Sequence, residues 1–144
     1  MELKVDRLTK KYKNKIAVDR VSLKLTPGIY GLLGANGAGK TTLMRMLCGV
    51  LTPTGGSITL DETDVSTEEY RDRLGYLPQD FGYYPNFTGW DFLMYLAALK
   101  GLEKEQAKRR CRELLELVSL TSMEKKKIKT YSGGMKQRLG IAQA

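Results

Sequence analysis

Apolar residues along this chain recur at two spacings, a short one in the first half and a helical one from Asn86 onward. Glu2 to Leu8 alternates weakly, with Leu3 and Val5 on one side, which predicts an edge strand. Lys10 to Lys15 reads as a polar turn with Tyr12 in its middle. Val21, Leu23 and Leu25 alternate with Ser22 and Lys24, predicting a half-exposed strand that ends at Pro27-Gly28. The run Ile29-Tyr30-Gly31-Leu32-Leu33 predicts a buried strand. Leu43, Met46, Leu47 and Val50 fall at i, i+3, i+4 and i+7, the face of a helix that stops before Pro53. Gly55-Gly56 predicts a turn, Ser57 to Leu60 a short strand, Asp61 to Glu69 a loop with one helical turn, and Leu74 to Leu77 a strand ended by Pro78.

The second half is helical. Thr88-Gly89-Trp90-Asp91 has the form of a capping box, and Gly101 stands where a helix-ending glycine belongs. Ala107, Cys111, Leu114, Leu115 and Val118 make the apolar face of a further helix. A basic connector, Lys125 to Lys129, leads to Tyr131-Ser132-Gly133-Gly134 and a last helix with Met135, Leu139 and Ala142 on one face. Trp90 and Phe92 read as core of this helical block.

At 144 residues the chain is about one domain long. The densest apolar run, Phe92 to Leu99, falls far short of the ~18 residues of a membrane span, and Met1-Glu2-Leu3-Lys4 opens no secretory signal. Two cysteines, Cys48 and Cys111, lie in helical patterns and suit reduced thiols in a cytosol. With no histidine, His-based acid–base catalysis is excluded and zinc chemistry disfavoured. The net charge of +8 comes from lysine and arginine clusters that are not interleaved with aromatics, so they read as solvated faces and phosphate-binding groups, and no nucleic acid is expected as partner.

The chemistry concentrates in Gly34-Ala-Asn-Gly-Ala-Gly-Lys-Thr-Thr42, which fits G-x-x-x-x-G-K-[ST] with Gly34, Gly39, Lys40 and Thr41 at the fixed positions. An apolar run precedes it and a helical pattern follows. Glycines at 34, 37 and 39 let the N–H groups turn inward as an anion nest at a helix N-terminus. Lys40 would reach the β- and γ-phosphates and the Thr41 hydroxyl would hold Mg²⁺. The pattern predicts binding of a nucleoside triphosphate. Ser132-Gly133-Gly134-Met135-Lys136-Gln137-Arg138 offers a second anion site: Ser132 as N-cap, two glycines that leave the first N–H groups uncovered, and Lys136 and Arg138 adding charge in the first turns.

With both motifs in order, the chain resembles the nucleotide-binding domain of ABC transporters over all 144 residues. The resemblance implies an α/β fold: a P-loop NTPase sheet with an antiparallel β subdomain and an inserted α-helical subdomain, cut short at the C-terminus. The division expected is 1–85 for the β subdomain and P-loop core, 86–130 for the helical subdomain, and 131–144 for the signature motif and its helix. Gly34 to Thr42 is similar to Walker A, so Gly34, Asn36, Gly37, Gly39, Lys40, Thr41 and Thr42 bind the nucleotide. Tyr12 falls where the family stacks an aromatic ring on adenine, and Gln79 matches the Q-loop glutamine, a second ligand of Mg²⁺. Ser132, Gly133 and Gly134 match the signature that caps the γ-phosphate of a second protomer's ATP. The usual motif is Leu-Ser-Gly-Gly-Gln; here Tyr131 and Met135 hold the outer positions, a form that looks most like ATPases of bacterial ABC-2-type exporters. The resemblance implies ATP and Mg²⁺ as cofactors, a head-to-tail dimer, and a transmembrane permease subunit that holds the protein on the cytoplasmic face of the plasma membrane. The alternatives are a soluble ABC ATPase acting on ribosome or DNA, and a non-catalytic nucleotide-binding fragment.

The family's Walker B strand, catalytic glutamate and switch histidine come after the signature helix, and the chain ends at Ala144 inside that helix. By itself it is expected to be inactive, with the parallel sheet short of its central partners and one edge unpaired. Ile58-Thr59-Leu60-Asp61-Glu62 imitates a strand ending in the catalytic acids, but Ser57 and Thr59 make it a half-exposed strand, and it precedes the signature.

Overall fold

The computed structural model describes residues 1–79 and 82–144. These divide into two compact units, Met1–Leu74 and Gly75–Ala144.

In the first unit, β1 (Leu3–Tyr12), β2 (Lys15–Leu25), β3 (Gly55–Leu60) and β4 (Thr63–Asp64) form one sheet in the order β2-β1-β3-β4. Every pairing in it is antiparallel. β1 is therefore an interior strand, not the expected edge. Its alternation looks weak in the sequence because bulges interrupt it. Val5 and Leu8 are both buried though three residues apart, which strict alternation forbids. The register shifts between them, with Arg7 in a left-handed conformation, restoring Leu8 to the core face. Side chains satisfy the displaced amides: Arg7 N–H donates to Ser22 Oγ (2.9 Å) and Arg20 N–H to Thr9 Oγ1 (3.1 Å).

Two helices complete this unit, α1 (Lys40–Leu47) and α2 (Glu68–Asp72). α1 buries Leu43 and Met46 among Val5, Leu8, Val18, Ile58, Val65 and Tyr70. It stops earlier than its apolar spacing suggests, and Val50 lies outside it, 54% exposed. Gly49 takes φ +67, and the amides of Gly49 and Val50 turn back to Met46 O and Arg45 O, closing the helix end. Gly55, expected in a turn, already pairs with Thr9 as the start of β3.

Residues 29–33 form no strand, against expectation; Ile29 is fully exposed and Leu33 is 92% exposed. Residues 74–77 likewise form none. A strand is a paired state, and an all-apolar one needs hydrogen-bonding neighbours and cover on both faces. No described strand pairs with either segment.

Tyr70 closes the core of the unit by donating its hydroxyl to Leu47 O (2.6 Å). Burial, with the Cys48 thiol a lesser cause, pushes its phenol up to about 12. A folded value above the unfolded one of about 10 favours the neutral folded form, so this contribution is complete below pH 10 and lost between pH 10 and about 12. Urea midpoints measured across that window should fall more steeply for the wild type than for Tyr70→Phe. Parallel curves would remove Tyr70 as the alkaline trigger.

The second unit packs α3 (Gly89–Leu99), α4 (Lys104–Leu117) and α5 (Gly133–Gln143) around Phe92, Leu93, Cys111, Leu115, Leu120, Ile128 and Leu139. The capping box is present: Asp91 N–H donates to Thr88 Oγ1 (3.0 Å) and Thr88 N–H to the Asp91 carboxylate (3.4 Å). Gly101, at φ +73, ends the turn after α3. The basic connector contains a 3₁₀ turn, Ile128–Thr130, whose Ile128 is fully buried. Phe92 is core, while Trp90 is half-buried with the Arg112 guanidinium 5.6 Å from its ring centre. Both cysteines are free and buried, and burial pushes both thiols up. Among the described residues no helix is long and apolar enough to cross a membrane.

Candidate functional site

The phosphate loop is set by one close backbone approach. Gly39 is the N-cap of α1, at φ +90, and a Cβ there would collide with the carbonyl oxygen of Ala17 in β2. Only glycine lets the strand pass this near, so the sheet fixes where the helix begins. Gly37 is also left-handed (φ +83) but faces open space. Between them the loop turns, with Ala38 N–H donating to Ala35 O (3.2 Å) and Leu43 N–H to Gly39 O (2.8 Å). Gly34 and Asn36 are exposed along the same loop. Lys40 reaches back across it, its ammonium donating to Gly34 O (2.6 Å) and Ala35 O (2.8 Å). That holds one positive charge against the loop, beside the uncovered N–H groups of the first helical turn, where an anion is favoured. Thr41 in that turn is exposed, and Thr42 is half-buried.

Tyr12 lies at the end of β1, paired with Lys15, rather than in the middle of a turn; the turn is Lys13-Asn14 alone. From Ala17, which touches Gly39, to Lys15 is two residues, about 7 Å along the strand. The ring is 45% exposed. Lys10 Nζ stands 5.4 Å from its centre and donates to Thr52 O (2.6 Å), a partnership the sequence reading did not single out.

In the second unit, Gln79 is exposed and lines a groove of about 800 Å³ with Pro78, Tyr83, Gly133, Lys136 and Gln137. The glutamine and the start of the signature helix are thus brought together. Ser132 caps that helix, its Oγ accepting from Met135 N–H (3.3 Å). Gly133 and Gly134 are exposed, neither has a positive φ, and a Cβ on either would meet nothing within 4 Å. Neither conformation nor packing within the described residues requires glycine there, although each helical glycine costs up to about 1 kcal/mol relative to alanine.

Two flanking residues depart from expectation or explain it. Arg138 does not add charge to the start of its helix. Its Nη1 donates to Val118 O (3.0 Å) and Ser119 O (3.1 Å), the negative end of α4. Tyr131 is buried, donating its hydroxyl to Met123 O (2.7 Å), and Gly89 leaves room for that hydroxyl. Its neighbours accept a tyrosine where the usual motif has leucine.

The Asp61-Glu62 imitation resolves as a turn. Both residues have positive φ between antiparallel β3 and β4, and the Asp61 carboxylate accepts from Glu2 N–H (2.6 Å) and pairs with Arg73 (3.8 Å). It clasps the start of the chain. Among the described residues no three metal-binding side chains cluster.

A P-loop running into a helix, and a serine-capped signature helix that opens on two glycines, define the class. Residues 18–144 match the ABC transporter family, and the chain belongs to it. It is 43% identical to YxlF of Bacillus subtilis, described as an uncharacterized ABC transporter ATP-binding protein, over 99% of this chain and 48% of that protein. It is 40% identical to the bacitracin transport ATP-binding protein BcrA of Bacillus licheniformis, over 99% of this chain and 46% of that one. The chain thus spans about half the length of these relatives. Among solved structures, an ATP-binding subunit of an ABC transporter superposes with a TM-score of 0.79 at 25% identity, covering all of this chain and 61% of that one.

Proposed function

We propose that the complete protein binds MgATP, hydrolyses it between two copies arranged head to tail, and so powers a permease subunit from the cytoplasmic face of the membrane. The observation that carries this is the Lys40 ammonium held across the loop by Gly34 O and Ala35 O at the start of α1. Within it, residues 1–85 serve as the nucleotide-binding half, 86–130 as the helical subdomain, and 131–144 as the signature.

Gly34, Asn36, Gly37, Gly39 and Thr42 supply loop amides and shape; Lys40 supplies charge to the β- and γ-phosphates, and Tyr12 stacks on the base. Thr41 and Gln79 offer a hydroxyl and an amide oxygen, a donor set that suits Mg²⁺ because that ion takes few protein ligands and completes its shell with phosphate oxygens and water. When bound, Mg²⁺ neutralises charge developing on the β- and γ-phosphates. With Asp61 engaged by Glu2 and Arg73, the 144-residue chain alone is expected to release no phosphate.

The bareness of Gly133 and Gly134 supports a signature that serves a nucleotide held by another copy. The test uses Lys40→Ala and Gly134→Asp in the full-length protein. An acidic residue in the first turn stabilises a helix, so Gly134→Asp should fold normally while repelling phosphate. Either homodimer has both sites broken. A mixed dimer collects both lesions in one site and leaves the other intact. ATP-dependent dimerisation and partial phosphate release should return on mixing, read by light scattering and phosphate assay. No recovery at any ratio, with both variants folded, rejects the shared site.

A further inference from the structure

We propose that Lys10 is a positioning residue of the base site, its ammonium covering one face of the Tyr12 ring and leaving the other face for a nucleobase. The inference rests on the reading of Tyr12 as the base-stacking residue. Lys10 is fixed from both sides. It belongs to β1, and its Nζ donates to Thr52 O at 2.6 Å while lying 5.4 Å from the Tyr12 ring centre. A cation within about 6 Å of a ring is attracted by the ring's negative face. The carbonyl that anchors it belongs to the segment following α1, and that segment is tied to the same hairpin twice more. Thr54 N–H donates to Thr9 O (2.8 Å), and Lys11 N–H to Thr54 Oγ1 (3.1 Å).

Two consequences follow. Tyr12 stands at the turn end of a hairpin, next to the two-residue Lys13-Asn14 turn and 45% exposed, where a free phenol ring would sample several rotamers. Held by Lys10, it meets a base with that freedom already restricted, and ordering a free side chain on binding would otherwise weaken affinity. The ring also becomes one-sided, since a planar base can stack only on the face the ammonium does not cover. Lys10 differs in this from Lys13 and Lys15, which carry the same charge at the same hairpin but have no ring contact among the described residues.

The experiment separates base recognition from simple charge. On the full-length protein, ATP and inorganic tripolyphosphate are titrated against wild type, Lys10→Met, Lys10→Arg, Lys13→Met and Tyr12→Ala. Lys10→Met should weaken ATP about two- to fivefold and leave tripolyphosphate unchanged. Lys10→Arg, which keeps a cation over the ring, should restore ATP binding, and Lys13→Met should leave the ratio of the two ligands at its wild-type value. In nucleotide-free protein the Tyr12 ring resonances should shift for Lys10→Met and not for Lys13→Met. Equal loss of both ligands in Lys10→Met makes Lys10 a general phosphate attractor and overturns the inference, as does no change in either ligand. An unchanged ATP affinity in Tyr12→Ala instead removes the base-stacking reading itself. Loss of ATP in Tyr12→Ala, with the Lys10→Met ratio unmoved, leaves that reading standing and rejects the role of Lys10 alone.

Discussion

Gly39→Ala is expected to unfold the phosphate loop and eliminate MgATP binding. Two costs coincide there. An L-residue at φ +90 is strained by about 1–2 kcal/mol. The new Cβ would also collide with the Ala17 carbonyl, which is backbone within a paired strand and has no rotamer to yield. Against a total stability of about 5–15 kcal/mol for a domain, the sum is large enough to lower the melting temperature by several degrees. Gly37→Ala separates the two costs, because its φ is +83 but a Cβ there meets nothing within 4 Å. It should show only the strain. Thermal melts and nucleotide titrations on both variants decide the matter. A Gly39→Ala protein that melts and binds like the wild type would mean that the approach of β2 to the loop does not set its shape.

Lys40→Ala is expected to act in the opposite way, with a large loss of binding and almost none of stability. The lysine's two partners in the structure are carbonyls of exposed residues, Gly34 and Ala35, which water can satisfy when the ammonium is removed. What is lost is the charge offered to two phosphates. At about 1.5–3 kcal/mol for each charged hydrogen bond, MgATP affinity should fall at least about a hundredfold. Circular dichroism and melting should be close to wild type. Unchanged affinity in a folded variant would reduce the loop to a structural turn and withdraw the proposed function with it.

Much of the local chemistry was legible in the linear order of residues. The N-caps at Thr88 and Ser132, the core face Ala107-Cys111-Leu115 of α4 with its C-cap Val118, and the glycine after α3 all rest on interactions within a few positions of one another. The phosphate loop belongs with them, since a glycine pattern, a lysine and a helix start are contiguous. The errors share a cause. β1 reads as an edge because bulges hide its alternation, and those bulges form only against its two neighbours, β2 and β3, with Ser22 of β2 and Thr9 accepting the displaced amides. The 29–33 run reads as a strand on apolarity alone, whereas strand formation depends on partners that periodicity cannot supply. Arg138 reads as charge for its own helix, but it donates to the negative end of α4.

By itself, then, the sequence determined that a glycine-rich loop with a lysine opens a helix, that a second bare helix start follows a helical block, and which residues present themselves at both. These are short-range matters, decided by backbone freedom, capping and the 3.6-residue repeat. Only the tertiary structure decided why Gly39 must be glycine, where Tyr12 stands and what holds it, and which groups the Asp61 carboxylate engages. Each of those depends on backbone or charge brought from a distant position: Ala17 against Gly39, Thr52 beneath Lys10, Glu2 and Arg73 around Asp61. Long-range proximity carries no mark in the order of residues, because it is produced by burial of the whole core rather than by any one segment.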